Sequence, residues 1–187
     1  MLLLIDVINP FDFAAAGRLL RHARPAAKRI AALKQRLALR GVPAVYVNDN
    51  FGRWQSDFRA QVEHCARAES AGAEITQLLR PGEGDYFVLK PKHSGFYSTS
   101  LDVLLRYFGA RRLVLTGFAG NICVLYTAND AHMRDYELIV PHDCIASEAA
   151  SLNRAACEQM QRLMRADVGS SRNILSRALR AEQRPAR

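Results

Sequence analysis

Five short apolar runs constrain this chain more than any other feature: LLLID (2–6), PAVYVND (43–49), YFVLK (86–90), RLVLTG (112–117) and YELIVP (136–141). None shows strict two-sided alternation, so each reads as a strand buried on both faces. Strands of that kind separated by helical stretches describe a parallel sheet covered on both sides. The longest intervening stretch, 18–40, places Ile30, Leu33 and Leu37 on one helical stripe that ends at Gly41, with Pro25 near its start or at a kink. Weaker helical patterns occupy 56–70 and 73–79. Further helices are expected over 98–109, with Ser98 or Thr99 as cap and Gly109 just past the end, over 121–135, and over about 147–165. The predicted architecture is an open, doubly wound α/β domain of five to six parallel strands with helices on both faces. It spans 1–175 as one unit, and 176–187 forms a basic tail that frays or reaches a partner subunit.

Composition then removes several function classes. With 187 residues, 49% of them hydrophobic, the chain can bury one substantial core. Its start, MLLLIDVIN, has no basic segment before the apolar run and no small-residue cleavage site, so it reads as a first strand rather than a signal peptide. No stretch reaches the 18 or more apolar residues of a membrane span, and a cytoplasmic protein with no membrane partner is expected. The net charge of +8 is largely arginine spread over helices and the tail RALRAEQRPAR. Without basic runs interleaved with aromatics it describes a solvated surface and no nucleic-acid partner. Cys65, Cys123, Cys144 and Cys157 show no CxxC spacing and are expected as free thiols. The five histidines show neither HxH nor HExxH spacing, so no metal is implied.

In an open α/β sheet, ligands bind outside the carboxyl ends of the strands, near a switch in strand order. Asp6 ends the first run, Lys90 ends YFVLK, and Cys123 follows RLVLTG at the start of its helix. An acid, a base and a thiol therefore meet at one edge. A free thiol is only slightly ionised at neutral pH. A helix N-terminus offers roughly 0.3–2 kcal/mol toward the thiolate. An ammonium about 4 Å away offers on the order of 4 kcal/mol at an effective dielectric near 20. Lys90 is thus expected to be the larger influence, opposed by Asp6, which takes the thiol proton and returns it to a leaving amine. A Cys/His pair is the competing design. His93 and His132 are its candidates, and neither follows a strand directly.

The segments LLLIDVINPFDF, VLKPKHSGFYSTSLDVLL and LVLTGFAGNICVLYTANDA resemble, in order and spacing, three signature blocks of the isochorismatase-like cysteine hydrolases, a group that includes nicotinamidases and N-carbamoylsarcosine amidase. The resemblance runs from residue 2 to about 165 and implies a Rossmann-like three-layer fold and a catalytic triad of Asp6, Lys90 and Cys123. Lys90 is preferred to Lys92 because the family lysine lies four residues before the Ser of a triplet matched here by Ser94-Gly95-Phe96. A cis Phe118–Ala119 peptide and an oxyanion hole formed by the Ala119 and Cys123 amides are also implied. The family's metal-dependent nicotinamidases carry Asp-x-His and a further His after the second strand, whereas this chain reads NDNFGRW with Asp49 alone. No cofactor follows. Enzymes of the group that cleave isochorismate commonly lack the nucleophilic Cys, so its presence favours amide, ureido or carbamoyl chemistry. Ser98 and Gly120 stand where the family commonly has Gly and Thr, a change in the pocket wall.

Adjacency to the trio nominates Asn9 and Phe13 after the first strand, Asn48 and Trp54 after the second, and Phe96 and Tyr97 after the lysine as substrate contacts, with packing as the other use of the phenylalanines. An aromatic wall with a few amides suits a small, flat or acyl-bearing substrate. The expectation is a metal-independent hydrolase of small-molecule C–N bonds. Its alternatives are isochorismatase-type hydrolysis and a non-catalytic binding or assembly module. A redox thiol would need Cys144 as its resolving partner. Relatives in the group are usually homo-oligomers, and the same is expected here.

Overall fold

A computed structural model of the chain describes residues 1–54 and 57–174; the expected tail at 176–187 lies outside them. The strands form one parallel sheet. They are β1 (Leu2–Ile5), β2 (Ala44–Asp49), β3 (Tyr86–Lys90), β4 (Arg112–Phe118) and β5 (Glu137–Ile139), in the order β3-β2-β1-β4-β5. A two-residue β6 (Ile145–Ala146) pairs the end of β4 through Gly117 and Phe118. It was not among the sequence-predicted strands, because two residues leave no periodic signal.

The lack of alternation noted in the first run has its expected cause. Successive side chains of a strand point to opposite faces: Leu2 and Leu4 enter one core and Leu3 and Ile5 the other. The first core is closed by α1 (Ala16–Ala38), α2 (Phe58–Cys65) and α3 (Ala73–Leu78), through Ile30, Leu33, Leu37, Phe58, Val62 and Ile75. The second is closed by α4 (Leu101–Tyr107), α5 (Leu125–His132) and α6 (Ala150–Met164), through Leu101, Leu105, Ala128 and Met160. No helix among the described residues is long and apolar enough to cross a membrane.

Three boundaries differ from expectation. Pro25 lies well inside a continuous α1, where it is exposed, so the carbonyl its missing N–H would have bonded can be hydrated. Helix α4 starts at Leu101 rather than Ser98, because Ser98 adopts φ +51° and the Thr99 hydroxyl accepts the Leu101 N–H at 3.2 Å. The expected α-helix from 121 begins instead as a π-helical turn, Gly120–Val124, before α5.

Candidate active site

Strand order reverses between β1 and β4, which opens a crevice at their carboxyl ends. Asp6 directly follows β1, Asp49 ends β2 and Lys90 ends β3. The chain leaves β4 through Ala119, held in the left-handed region at φ 52°, ψ 58°. From there the Ala119 carbonyl accepts the Ile122 N–H at 2.8 Å and the Val124 N–H at 3.3 Å, which winds the wide turn carrying Cys123. Ser147, just past β6, caps that turn by accepting the Asn121 N–H at 3.2 Å. Asp6 is also left-handed, at φ 52°. Such conformations cost of order 1–3 kcal/mol each, and here they lie on the residues that the site depends on. Between them, Gly117 has φ 127°, and a Cβ there would lie 1.9 Å from the Ile5 carbonyl oxygen, so only glycine fits.

These elements bring Asp6, Lys90 and Cys123 together. Lys90 Nζ is 2.9 Å from Asp6 Oδ2, donates to Cys123 Sγ at 3.6 Å and lies 3.7 Å from Asp49 Oδ2. The other Asp6 oxygen accepts the Asp49 N–H at 2.8 Å. Lys90 is fully buried, and Asp6 and Cys123 are nearly so. Burial alone would lower the Lys90 pKa, but the charges of Asp6 and Asp49 and the hydrogen bond to Asp6 outweigh it and hold the ammonium above its ordinary value. Lys92 is exposed, away from this arrangement.

One expectation reverses. Lys90 does not bring the thiol down: burial first and the Asp6 charge second raise the Cys123 pKa above its ordinary value, and Lys90 only opposes them. The reason is that the thiol is buried and faces the Asp6 carboxylate, whose charge offsets that of the Lys90 ammonium. The resting site therefore holds a neutral thiol beside an ammonium–carboxylate pair.

A second correction concerns the backbone. The expected cis Phe118–Ala119 bond is trans, and no described peptide bond is cis; left-handed Ala119 turns the chain in its place. The nicotinamidase-type metal does not fit either. Asp49 directs one oxygen toward the Lys90 ammonium, which repels a cation, while the other accepts the Phe51 N–H at 2.7 Å. No cluster of three or more His, Cys, Asp or Glu among the described residues is arranged to hold a metal.

The nominated pocket residues separate into two sets. Asn48 is fully buried, and its amide bonds Ile8 both ways, accepting the Ile8 N–H at 3.1 Å and donating to the Ile8 carbonyl at 2.8 Å. It ties two strand ends together and has no face left for a ligand. Phe96 is buried against Tyr136 and under the Arg134 guanidinium, 4.7 Å from its ring. Asn9 is buried and uses its oxygen on the Phe11 N–H. By contrast Phe13 (42% exposed), stacked on Phe11, and Trp54 (78%) and Tyr97 (57%) present their rings to solvent. A cavity of about 360 Å³, lined by Asn50, Phe51, Arg53, Gln61 and Leu89 among others, adjoins the chain around Asp49 and Lys90, although none of the trio lines it. Gly120, buried, faces Asn153 and Ser147, which occupy the space of a side chain there.

Two participants lay outside the expected trio. Asp49, noted in the sequence only for standing without the histidines of a metal motif, is a second counter-ion to Lys90. His93 brings Nδ1 to 3.9 Å from Cys123 Sγ, because the chain turns back after Lys90. The Gly95 N–H donates to Thr127 Oγ1, which in turn donates to the Cys123 carbonyl, so this return loop is pinned to the nucleophile turn.

The chain is similar to several known proteins. A family model described as "Isochorismatase domain" matches residues 1–172. The isochorismatase family protein YaaI of Bacillus subtilis is 38% identical over 176 residues, covering 94% of this chain and 96% of that protein. The ureidoacrylate amidohydrolase RutB of Methylorubrum extorquens is 46% identical over 69 residues, 37% of this chain and 28% of that protein. Among solved structures, N-carbamoylsarcosine amidase from Thermoplasma acidophilum superposes with a TM-score of 0.69 at 29% identity, covering 91% of this chain and 95% of that one.

Proposed function

The chain belongs to the isochorismatase family of hydrolases, and from that premise we propose that it is a metal-independent cysteine hydrolase. It cleaves a C–N bond in an amide, ureido or carbamoyl small molecule through a thioester on Cys123. The observation that carries this reading is the placement of the Lys90 ammonium 2.9 Å from Asp6 and 3.6 Å from the Cys123 sulfur at the carboxyl edge of the sheet. The relatives that act on a ureido compound or on N-carbamoylsarcosine support the choice of bond.

Because the resting thiol is neutral, proton transfer and attack go together. As Cys123 Sγ bonds to the substrate carbonyl carbon, its proton moves to Asp6, and Lys90 holds the developing negative charge in place. The Ala119 and Cys123 amides receive the tetrahedral oxyanion. Asp6 then delivers the proton to the departing nitrogen as the C–N bond breaks, leaving an acyl thioester that water hydrolyses. Phe13, Trp54 and Tyr97 supply the aromatic wall against which a small acyl group lies. The proposal includes a homo-oligomer that acts on a small molecule without cofactor, nucleic acid or membrane; light scattering tests the oligomer.

The test is a screen of amides, ureas and carbamoyl compounds for ammonia or amine release, with and without chelator. Release that survives chelation and disappears in Cys123→Ala is expected. Chelator-sensitive release, or full activity in Cys123→Ala, overturns the mechanism.

A further inference from the structure

The trio accounts for one face of the thiol. Lys90 and Asp6 lie beneath it, buried, whereas His93 approaches from the exposed side with Nδ1 3.9 Å from Sγ. Its ring packs on Tyr126 of α5, centroids 5.6 Å apart. The next residue, Ser94, is hydrogen-bonded to Asp130 of the same helix, and Gly95 is bonded to Thr127. The imidazole is thus held on the helix that continues the nucleophile turn, and no other protein hydrogen bond engages it among the described residues.

We propose that His93 is a catalytic base for the second half of the reaction, activating the water that hydrolyses the Cys123 thioester. This rests on the thioester reading above. The acyl carbon lies one bond from Sγ, so a water entering from solvent between that carbon and Nδ1 is within reach of both. Asp6, the other base near the sulfur, lies on the buried side. The step balances. The water oxygen bonds to the acyl carbon while one of its protons passes to His93. The C–S bond then breaks, the imidazolium returns the proton to the sulfur, and a carboxylic or carbamic acid leaves with neutral His93 and Cys123 restored. A packing role alone explains the Tyr126 contact but assigns nothing to the nitrogen at the thiol.

The experiment acetylates the enzyme with p-nitrophenyl acetate, removes the excess, and follows loss of the acetyl adduct from Cys123 by intact-protein mass spectrometry. In His93→Ala the adduct is expected to form within about threefold of the wild-type rate but to persist on the order of 10²-fold longer. Added imidazole is expected to shorten that lifetime in His93→Ala well beyond any effect it has on the wild-type adduct, a difference that a structural role would not produce. Equal adduct lifetimes in the two proteins overturn the proposal. So does slow deacylation that imidazole leaves unchanged while His93→Gln, which keeps a polar side chain, restores it. Failure of the wild type to form any adduct on Cys123 overturns instead the thioester reading on which the proposal stands.

Discussion

Lys90 reaches past β2 to Asp6: its Nζ lies 2.9 Å from the Asp6 carboxylate although their strands, β3 and β1, are not neighbours. A buried ion pair of this kind is costly to break from one side, since the remaining charge is left uncompensated. Lys90→Met is expected to lower stability by about 3–5 kcal/mol at neutral pH, measured by urea denaturation. The double variant Lys90→Met/Asp6→Asn, which removes both charges, is expected to recover part of that loss. If the double variant is no more stable than the single one, the pair is not what Lys90 contributes.

In the proposed mechanism Asp6 accepts the thiol proton, and its charge, after burial, raises the thiol pKa. Asp6→Asn is therefore expected to lower turnover by on the order of 10²–10⁴-fold while speeding alkylation of Cys123 by iodoacetamide at pH 8. Parallel loss of both would mean that Asp6 shapes the site without exchanging a proton in it.

Alkaline pH is expected to weaken the fold. Burial raises the thiols from 9.0 to about 12 in Cys65 and Cys144 and to about 11 in Cys157, and Cys123 is also raised. For an acid whose folded pKa is raised, the unfolded chain releases its proton first, so stability is intact below 9.0 and falls as pH climbs toward the folded values. Lys90, raised from 10.5, acts in the same direction at higher pH: its contribution is complete below 10.5 and is lost as pH passes its folded value. Melting temperatures measured from pH 7 to 11 are expected to hold to about 9 and then decline. A flat profile would show that the thiols are not held neutral by the fold.

Asn48 and Tyr97 separate structure from binding. Asn48→Ala leaves the Ile8 N–H and carbonyl without their partner and is expected to cost about 1–3 kcal/mol in stability. Tyr97→Ala removes an exposed ring and is expected to raise KM by about tenfold, equivalent to roughly 1.4 kcal/mol, with little change in melting temperature. Reversed effects would return Asn48 to the pocket and Tyr97 to the scaffold.

The parallel sheet was legible in the sequence because strands buried on both faces carry no polar residues to obscure them, as in LLLI and AVYV. The meeting of Asp6, Lys90 and Cys123 was legible because Asp6 follows β1, Lys90 ends β3 and Cys123 lies in the turn after β4, where chain order and spatial order coincide. Asn48 looks like a ligand amide in one dimension; only the pairing of β1 with β2 reveals that Ile8 takes it on both sides. His93 lies three residues beyond β3, and its return to the thiol depends on a loop pinned through Thr127. The direction of the thiol pKa was hidden for a related reason. An estimate from charges alone includes Lys90 and Asp6 but not the burial of the thiol, which is the largest influence on it and exists only once the chain is folded.

The most direct measurement of the central claim is peptide-level mass spectrometry of enzyme quenched during turnover of a substrate found by the screen. The expected result is one acyl group per active chain, on Cys123, absent from Cys65, Cys144 and Cys157 and lost in Cys123→Ala together with activity. Turnover by Cys123→Ala, or a working enzyme that never carries an acyl group on Cys123, would contradict it.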